Sequence, residues 1–534
     1  MSEPVGTLSE VDLRPGVVLG DRRWTRAEVL DGSRRAASAL ASLGVGTGDC
    51  VAILLRNDVP FFMATLAARS LGAYAVPVNW HWRAAEIEHV LVDSGAKALI
   101  VHADLVPEAE RALPAGVPML VAATPPELAE AFGLSPQQCL VPAGATNWDE
   151  WIAGFEPWTG EPSGAAVSMI YTSGTTGKPK GVRRAPFTAD QLSALIEINE
   201  QVLGIVPGMR TVIPAPMYHS FGNAYATGAM LQRAEVVLQP KFSGEDLLRL
   251  IERHRVNRLF LVPTMFVHLL RLPEDTRRRY DVSSLEHVVH SAGPCPPEVK
   301  RAMIEWWGPI ITEFYGSTES GPAVACTSEE WLRKPGTVGH PVAGSEIAIL
   351  GPDRRPLPPG EVGDIYTRVP AYGDFTYQRN DQGRQAIDWS GFITSGDIGY
   401  LDEDGWLFIS DRRADLIVSG GVNIYPAEIE AEILTMPEVR DAAVIGVPDE
   451  AKGEVVMAVI QLEHGVTISA DDVRGYIADR IARYKVPRRV EFVDELPREA
   501  TGKLYRRKLR DAYRAEEGRA EEDRAEEDRA DHGR

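Results

Sequence analysis

Between Trp24 and Val121, short apolar runs such as CVAILL and AYAVPVNW alternate with helix-length stretches such as AEVLDGSRRAASALASLG. That rhythm admits few folds, because buried strands separated by helices pair most economically in parallel, through crossover connections, as an α/β layer. The same alternation returns between Met209 and His290. There RTVIPAP, AEVVLQP, RLFLVP and LEHVVHSAG read as buried strands, and GEDLLRLIERHR as the helix between two of them. A chain of 534 residues also exceeds what one hydrophobic core organises, so more than one domain is expected.

The texture changes twice. From Gly344 to Ile409, SEIAILGPDRRPLPPGEVGDIYTR and GYLDEDGWLFIS alternate in short strands around Gly, Pro and Asp turns, which predicts a small β-rich subdomain. After Asp411, PAEIEAEILTM, VRDAAVIGVPD, EVVMAVIQLE and DDVRGYIADRIARY predict a small α+β domain. The expected division is 1–413 for the large N-terminal domain of α/β layers and 414–513 for the small C-terminal one. Residues 514–534 repeat a five-residue unit with five Arg against nine acidic residues, and read as a charged tail, disordered or helical, without catalytic work.

Composition narrows the function classes. A formal net charge of -20 repels phosphate backbones and anionic lipid, so an anionic substrate must meet locally concentrated cations. Nucleic acid is not an expected partner. The four cysteines, Cys50, Cys139, Cys295 and Cys326, lie far apart with no CxxC pair, which suggests neither a disulfide framework nor a thiolate zinc site. No basic leader precedes an apolar run, and no stretch approaches the apolar length of a membrane span, so a cytoplasmic location is expected.

The segment Ile170-Tyr171-Thr172-Ser173-Gly174-Thr175-Thr176-Gly177-Lys178-Pro179-Lys180-Gly181 carries the strongest chemical signal. An apolar strand runs into a loop of hydroxyls, glycines and lysines. Glycines let backbone N–H groups converge on oxygens, hydroxyls add donors, and lysines offset charge, so the loop suits a polyphosphate. It is not a Walker A loop, since Lys178 is followed by Pro179 and the glycine spacing is too short. A Gly/Thr-rich hairpin turn would account for the glycines and threonines but not for the paired lysines.

YTSGTTGKPKG resembles the phosphate loop of the adenylate-forming superfamily of acyl-CoA synthetases, luciferases and peptide-synthetase adenylation domains. Further motifs follow in the family's order: PMYHSFG at 216–222, HSAGPCP at 290–296, YGSTES at 315–320, TSGDIG at 394–399, DRRADLIVSGGVNIYPAEIE at 411–430 and PREATGKLYRRKL at 497–509. The resemblance covers the chain from about residue 20 to 513 and implies a large N-terminal domain with a small mobile C-terminal one. It further implies ATP and Mg2+ as cofactors and coenzyme A as co-substrate.

The resemblance also assigns roles. Thr172, Ser173, Gly174, Thr175, Thr176, Gly177 and Lys178 would cradle phosphates. Tyr315 would lie against adenine, with Gly293 and Pro294 on the other side. Thr318 would bind the α-phosphate and Glu319 would help hold magnesium, although a Glu beside Thr and Ser is more often a helix cap. Asp397 would accept hydrogen bonds from the ribose hydroxyls, with Ile409 and Arg412 at the nucleotide; as alternatives, Asp397 is a turn residue and Arg412 a surface ion-pair partner. Lys503 matches the lysine that enters between substrate carboxylate and α-phosphate, where two anions must approach. His219 matches an aromatic gate, a steric and stacking element rather than a general base. The acyl pocket would be lined by Tyr218, His219, Phe221, Asn223, Ala224, Val262 and Ser317, admitting a medium-length aliphatic, aryl or arylalkenyl acid.

The segment 411–425 resembles the hinge about which the small domain rotates, presenting SGGVNI to the pantetheine tunnel. Relatives commonly carry Lys or Asp at the pivot, and this chain has Ala414. The Asp that meets an amino-acid ammonium is absent from PMYHSFGN, and no carrier-protein serine follows residue 513, which favours a stand-alone ligase. The expected reaction is ATP-dependent acid–CoA ligation through an acyl-adenylate. The alternative passes the activated acid to an amine, including nitrite activation for diazotisation of an aryl amine. The family leaves room for a homodimer.

Overall fold

The structure, a computed structural model, describes residues 15–160, 168–172, 178–420, 422–449, 452–498, 504–506 and 508–513. The expected charged tail 514–534, loop residues Ser173, Gly174, Thr175, Thr176 and Gly177, and Lys503 lie outside them. The chain divides into two units. The first comprises Met1–Ser291, Pro297–Ile347 and Thr367–Ser395; the second comprises Ala292–Pro296, Ala348–Tyr366 and Gly396–Arg534.

In the first unit the apolar runs are strands of parallel sheets. Tyr74–Pro77, Cys50–Leu54, Ala96–His102, Met119–Ala122 and Thr146–Asn147 lie side by side in that order. Every residue of Cys50–Leu54 is buried, because helices such as Ala84–Ser94 and Val59–Ser70 flank the layer and leave no polar face for alternation to mark. Asp58 starts the second of these helices by accepting from the Val59 N–H.

A second sheet orders Arg210–Ile213, Glu235–Leu238, Pro15–Leu19 and Arg22–Thr25, the first three parallel. A third runs Arg258–Leu261, His287–His290 and Ile311–Ser317 in parallel, then turns back through Gly321–Cys326 and His340–Pro341. The helix expected from GEDLLRLIERHR is Gly244–His254, which buries Leu247, Leu248, Leu250 and Ile251. All the strands expected between Met209 and His290 are present, and the α/β reading holds.

The β-rich segment is also present. Its sheet orders Glu346–Leu350, Gly363–Arg368, Phe392–Leu401 and Asp388–Trp389, with Leu407–Arg412 on Phe392–Leu401. In the second unit the long strands Val439–Asp449 and Gly453–Leu462 pair antiparallel and bury both faces. Ala442 and Val444 point into a cluster with Ile429, Ile433, Val473 and Ile477, whereas Ala443, Ile445 and Val447 meet Val455, Met457, Val459 and Leu496. This two-residue period gives a small unit two cores from one hairpin. Among the described residues, no helix is long and apolar enough to cross a membrane.

Candidate active site

In the first unit, Ile170–Thr172 and Lys180–Arg184 form an antiparallel pair in which Thr172 faces Lys180, so both legs of the phosphate-loop motif are anchored in one hairpin. Gly181 permits this: a Cβ there would lie 2.8 Å from the Tyr171 ring. Tyr171 in turn donates from its hydroxyl to Asp93 Oδ2 at 2.7 Å, and His89 Nε2 donates to the Pro179 carbonyl at 2.9 Å. Phe375–Tyr377 completes the sheet on the far side of Lys180–Arg184.

That third strand and its neighbour reach the YGSTES motif. Ile311–Ser317 and Gly321–Cys326 are joined by a turn that carries Thr318 and Glu319. Within the turn Ser317 Oγ accepts from the Glu319 and Ser320 N–H groups at 3.2 and 3.0 Å. Arg184, almost fully buried, donates to the Thr318 carbonyl at 2.8 Å, to the Glu319 carbonyl, and to the Gly373 carbonyl at 2.8 Å. Tyr377 donates from its hydroxyl to Glu319 Oε1 at 3.0 Å. Burial first, and then the Glu319 charge, push the Tyr377 hydroxyl upward, which keeps it a donor. The three-stranded sheet thus fixes the turn backbone through Arg184 and one carboxylate oxygen of Glu319 through Tyr377. Sequence reasoning missed both residues. Glu319 is not a helix cap but a residue of a hairpin turn.

Tyr315 is buried and faces Val324 across the hairpin. Ser317, Val262 and His290 stand at or just past the carboxyl ends of the third sheet's strands, the edge where open α/β sheets bind ligands. Phe221 links these strands, with ring centroids 4.1 Å from Phe260 and 4.8 Å from Phe314. His219 occupies the N-cap position of the helix Ser220–Leu231, its ring 4.2 Å from that of Tyr218. The approach to that helix is held by Asn57, whose side chain donates to the Ala215 carbonyl and accepts from the Met217 N–H, both at 2.9 Å. Tyr218, Asn223 and Val262 are buried, Phe221 is half-buried, and Ala224 is exposed on the helix surface. Gly222 lets the turn close, since a Cβ there would sit 2.6 Å from the Pro216 carbonyl oxygen.

In the second unit, Asp397 and Arg412 are directly opposed on paired strands, with Arg412 Nε 3.3 Å from Asp397 Oδ1. Asp397 is buried mid-strand rather than in a turn, and Ile409 opposes Gly399, two residues further along the strand. Gly293 and Pro294 lie exposed in the segment Ala292–Pro296. Just before Arg412, Asp411 accepts from the Ala427 N–H at 2.9 Å, and burial raises its carboxyl above the usual range. Arg510 donates to the Ala414 carbonyl at 2.8 Å and pairs with Asp415 at 3.0 Å, while Arg506 pairs with Asp415 at 3.2 Å and with Glu430.

His290, in the HSAG motif, is wholly buried beside Glu313 and Lys300, and burial lowers its pKa to about 4; burial does the same for His287, also to about 4. An unfolded chain binds protons on these imidazoles from the ordinary value of about 6.5 downward, whereas the folded chain does not until about 4. Stability is therefore expected to fall as pH drops through that window. Urea midpoints measured from pH 7 to 4 should decline more steeply for the native chain than for His290→Gln; parallel profiles would contradict a neutral buried His290.

Among the described residues, no group of three or more His, Cys, Asp or Glu side chains is placed to hold a metal ion. The AMP-binding enzyme family matches residues 12–373, and the AMP-binding enzyme C-terminal domain matches residues 428–503. A feruloyl-CoA synthase from Amycolatopsis is 32% identical, with 92% of this chain and 94% of that protein covered. The anthranilate CoA ligase AuaEII, solved with anthranoyl-AMP, is 28% identical with a TM-score of 0.83 and covers 95% of both chains. The amide bond synthetase McbA from Marinactinospora thermotolerans is 26% identical with a TM-score of 0.79, covering 93% of this chain and 96% of that one. With the two family matches in chain order and relatives aligned over nearly its whole length, the chain belongs to the family of AMP-binding, adenylate-forming enzymes.

Proposed function

We propose that this adenylate-forming enzyme is an acid–CoA ligase: it activates a carboxylic acid with ATP, releasing pyrophosphate, and transfers the acyl group to the thiol of coenzyme A, releasing AMP. The observation that carries the first half is the Arg184–Tyr377 clamp on the Thr318–Glu319 turn, built on the same three-stranded sheet as Thr172. It supports a rigid, pre-set environment for polyphosphate, the arrangement electrostatic catalysis requires. On this reading residues 1–413 form the adenylating body and 414–513 the lid. Tyr315, Gly293 and Pro294 serve adenine; Thr318 serves the α-phosphate; Asp397, Ile409 and Arg412 serve the ribose; Lys503 acts at the reacting carboxylate.

Glu319 fits a magnesium ligand. Tyr377 engages only Oε1, so Oε2 can turn to a cation whose other positions are met by phosphate oxygens and water, the usual manner of magnesium binding. When bound, the ion supplies charge neutralisation on the phosphates.

The acid is proposed to be aryl, arylalkenyl or medium-length aliphatic, in keeping with the aromatic and apolar side chains of Tyr218, Phe221 and Val262. A second reading, transfer to an amine, is favoured by the likeness to an amide bond synthetase and by Ala414 at the pivot. Pyrophosphate release should be measured across aliphatic acids, aryl acids and nitrite, with coenzyme A or an aryl amine as acceptor. Acyl-CoA in the product spectrum is the expected result. Turnover only with an amine acceptor would overturn the thioester half and leave the ATP half standing.

A further inference from the structure

At the amino-terminal ends of the second sheet's parallel strands lies a cavity of about 350 Å³ lined by Arg23, Arg210, Glu235, Arg253, His254 and Arg255. That volume falls within the range of small-ligand sites. Arg210 and Glu235 are the first residues of their strands, whereas Tyr218 and His219 follow the carboxyl end of Arg210–Ile213. The cavity and the proposed acyl pocket therefore belong to opposite edges of the sheet.

Four of the six lining residues are arginines, in a chain of net charge -20. Two have acidic partners: Arg253 meets Asp21 at 3.0 Å and Arg255 meets Asp281 at 2.9 Å. Arg210 donates from Nε to the Arg255 carbonyl, and neither it nor Arg23 has an acidic partner among the described residues. The helix Gly244–His254 ends here, so Arg253 and His254 also complement its dipole. That account does not reach Arg23 or Arg210, which arrive from separate strands.

His254 adds an independent observation. Its side chain is only 5% exposed, Nδ1 lies 2.9 Å from Glu235 Oε1, and Nε2 is buried with no hydrogen-bond partner among the described residues. With Nδ1–H given to Glu235, a neutral imidazole offers Nε2 as an acceptor. Guanidinium donors beside an imidazole acceptor and a carboxylate acceptor match an oxyanion that still carries a proton. A fully deprotonated oxyanion would satisfy the arginines but meet lone pairs at His254 and Glu235.

We infer that this cavity binds a hydrogen-phosphate group, free or as a phosphate monoester, at a site separate from that for ATP. The guanidinium groups of Arg23 and Arg210 hold its unprotonated oxygens, and His254 Nε2 accepts from its P–O–H.

The test is calorimetric titration of the full-length protein, with the ATP site saturated by 5′-O-sulfamoyladenosine, which carries no phosphate, using inorganic phosphate, glycerol 3-phosphate and sulfate as probes. Saturable phosphate binding should persist with the sulfamoyl nucleoside present, exceed sulfate binding at least tenfold, and weaken at least tenfold in Arg23→Gln/Arg210→Gln. Arg23→Gln alone changes an exposed side chain and should weaken binding several-fold with the melting temperature unchanged. Tighter binding of glycerol 3-phosphate than of phosphate identifies a monoester as the ligand, and the reverse identifies free phosphate. Absence of saturable binding, displacement by the sulfamoyl nucleoside, equal binding of sulfate, or full affinity in the double variant would overturn the assignment.

Discussion

Lys503→Ala is expected to lower acid-dependent pyrophosphate release by at least about a hundredfold, the scale on which removal of one oriented donor at a developing negative charge acts. The physical reason is local: a carboxylate must approach the α-phosphate, two anions repel, and an ammonium between them offsets the charge that builds on the leaving oxygen. The lysine has no such task in the thiol step, where the adenylate is already formed. Synthetic acyl-AMP supplied with coenzyme A should therefore be consumed by the variant at close to the native rate, and its thermal unfolding should be unchanged. Pyrophosphate release that survives the substitution would remove Lys503 from the chemistry.

The second large effect is expected at Arg184. One planar guanidinium, buried, spans the carbonyls of Thr318, Glu319 and Gly373. Lysine carries the same charge as a point on a flexible stem and cannot hold three acceptors in one plane. Arg184→Lys should lower unfolding stability by about 2–4 kcal/mol through the carbonyls left unmet. It should also free the turn that orients Thr318 and Glu319, lowering turnover and raising the magnesium concentration needed for half-maximal rate. Tyr377→Phe separates the two consequences: it releases Glu319 Oε1 alone, so magnesium dependence should shift with little loss of stability. Native turnover and magnesium dependence in Arg184→Lys would contradict a positioning role for the clamp.

Both predictions rest on residues of different legibility. Lys503 is assigned from sequence through its neighbours Ala-Thr-Gly, which form a local motif, and lies outside the described residues. Arg184 and Tyr377 cannot be assigned this way, because their partners lie 134 and 58 residues away in the chain and nothing in GVRRAP or DFTYQRN marks which side chain turns inward. The strands were readable for the opposite reason: runs such as CVAIL are buried along their whole length and need no partner to be recognised. Asp397 illustrates the intermediate case. Aspartate in TSGDIG fits a turn by local propensity, yet pairing with Leu407–Arg412 draws it into a strand opposite Arg412, a tertiary effect that overrides propensity. The Glu319 turn likewise escapes local rules, since Gly321 with φ of 71° reverses the chain where a helix cap would have begun one.

The grip on Ala414 has a consequence for how this position can vary. Arg510 holds the Ala414 carbonyl, and Asp415 supplies the acid for Arg506 and Arg510. Every residue type brings that carbonyl, so the contact survives exchange of the exposed side chain at 414 for any residue compatible with the local backbone. What anchors the chain at 414 is thus written in the main chain and in the residues that follow it. A drift from a polar side chain to alanine there leaves that anchorage intact, and comparisons of side-chain identity at this one position pass over it.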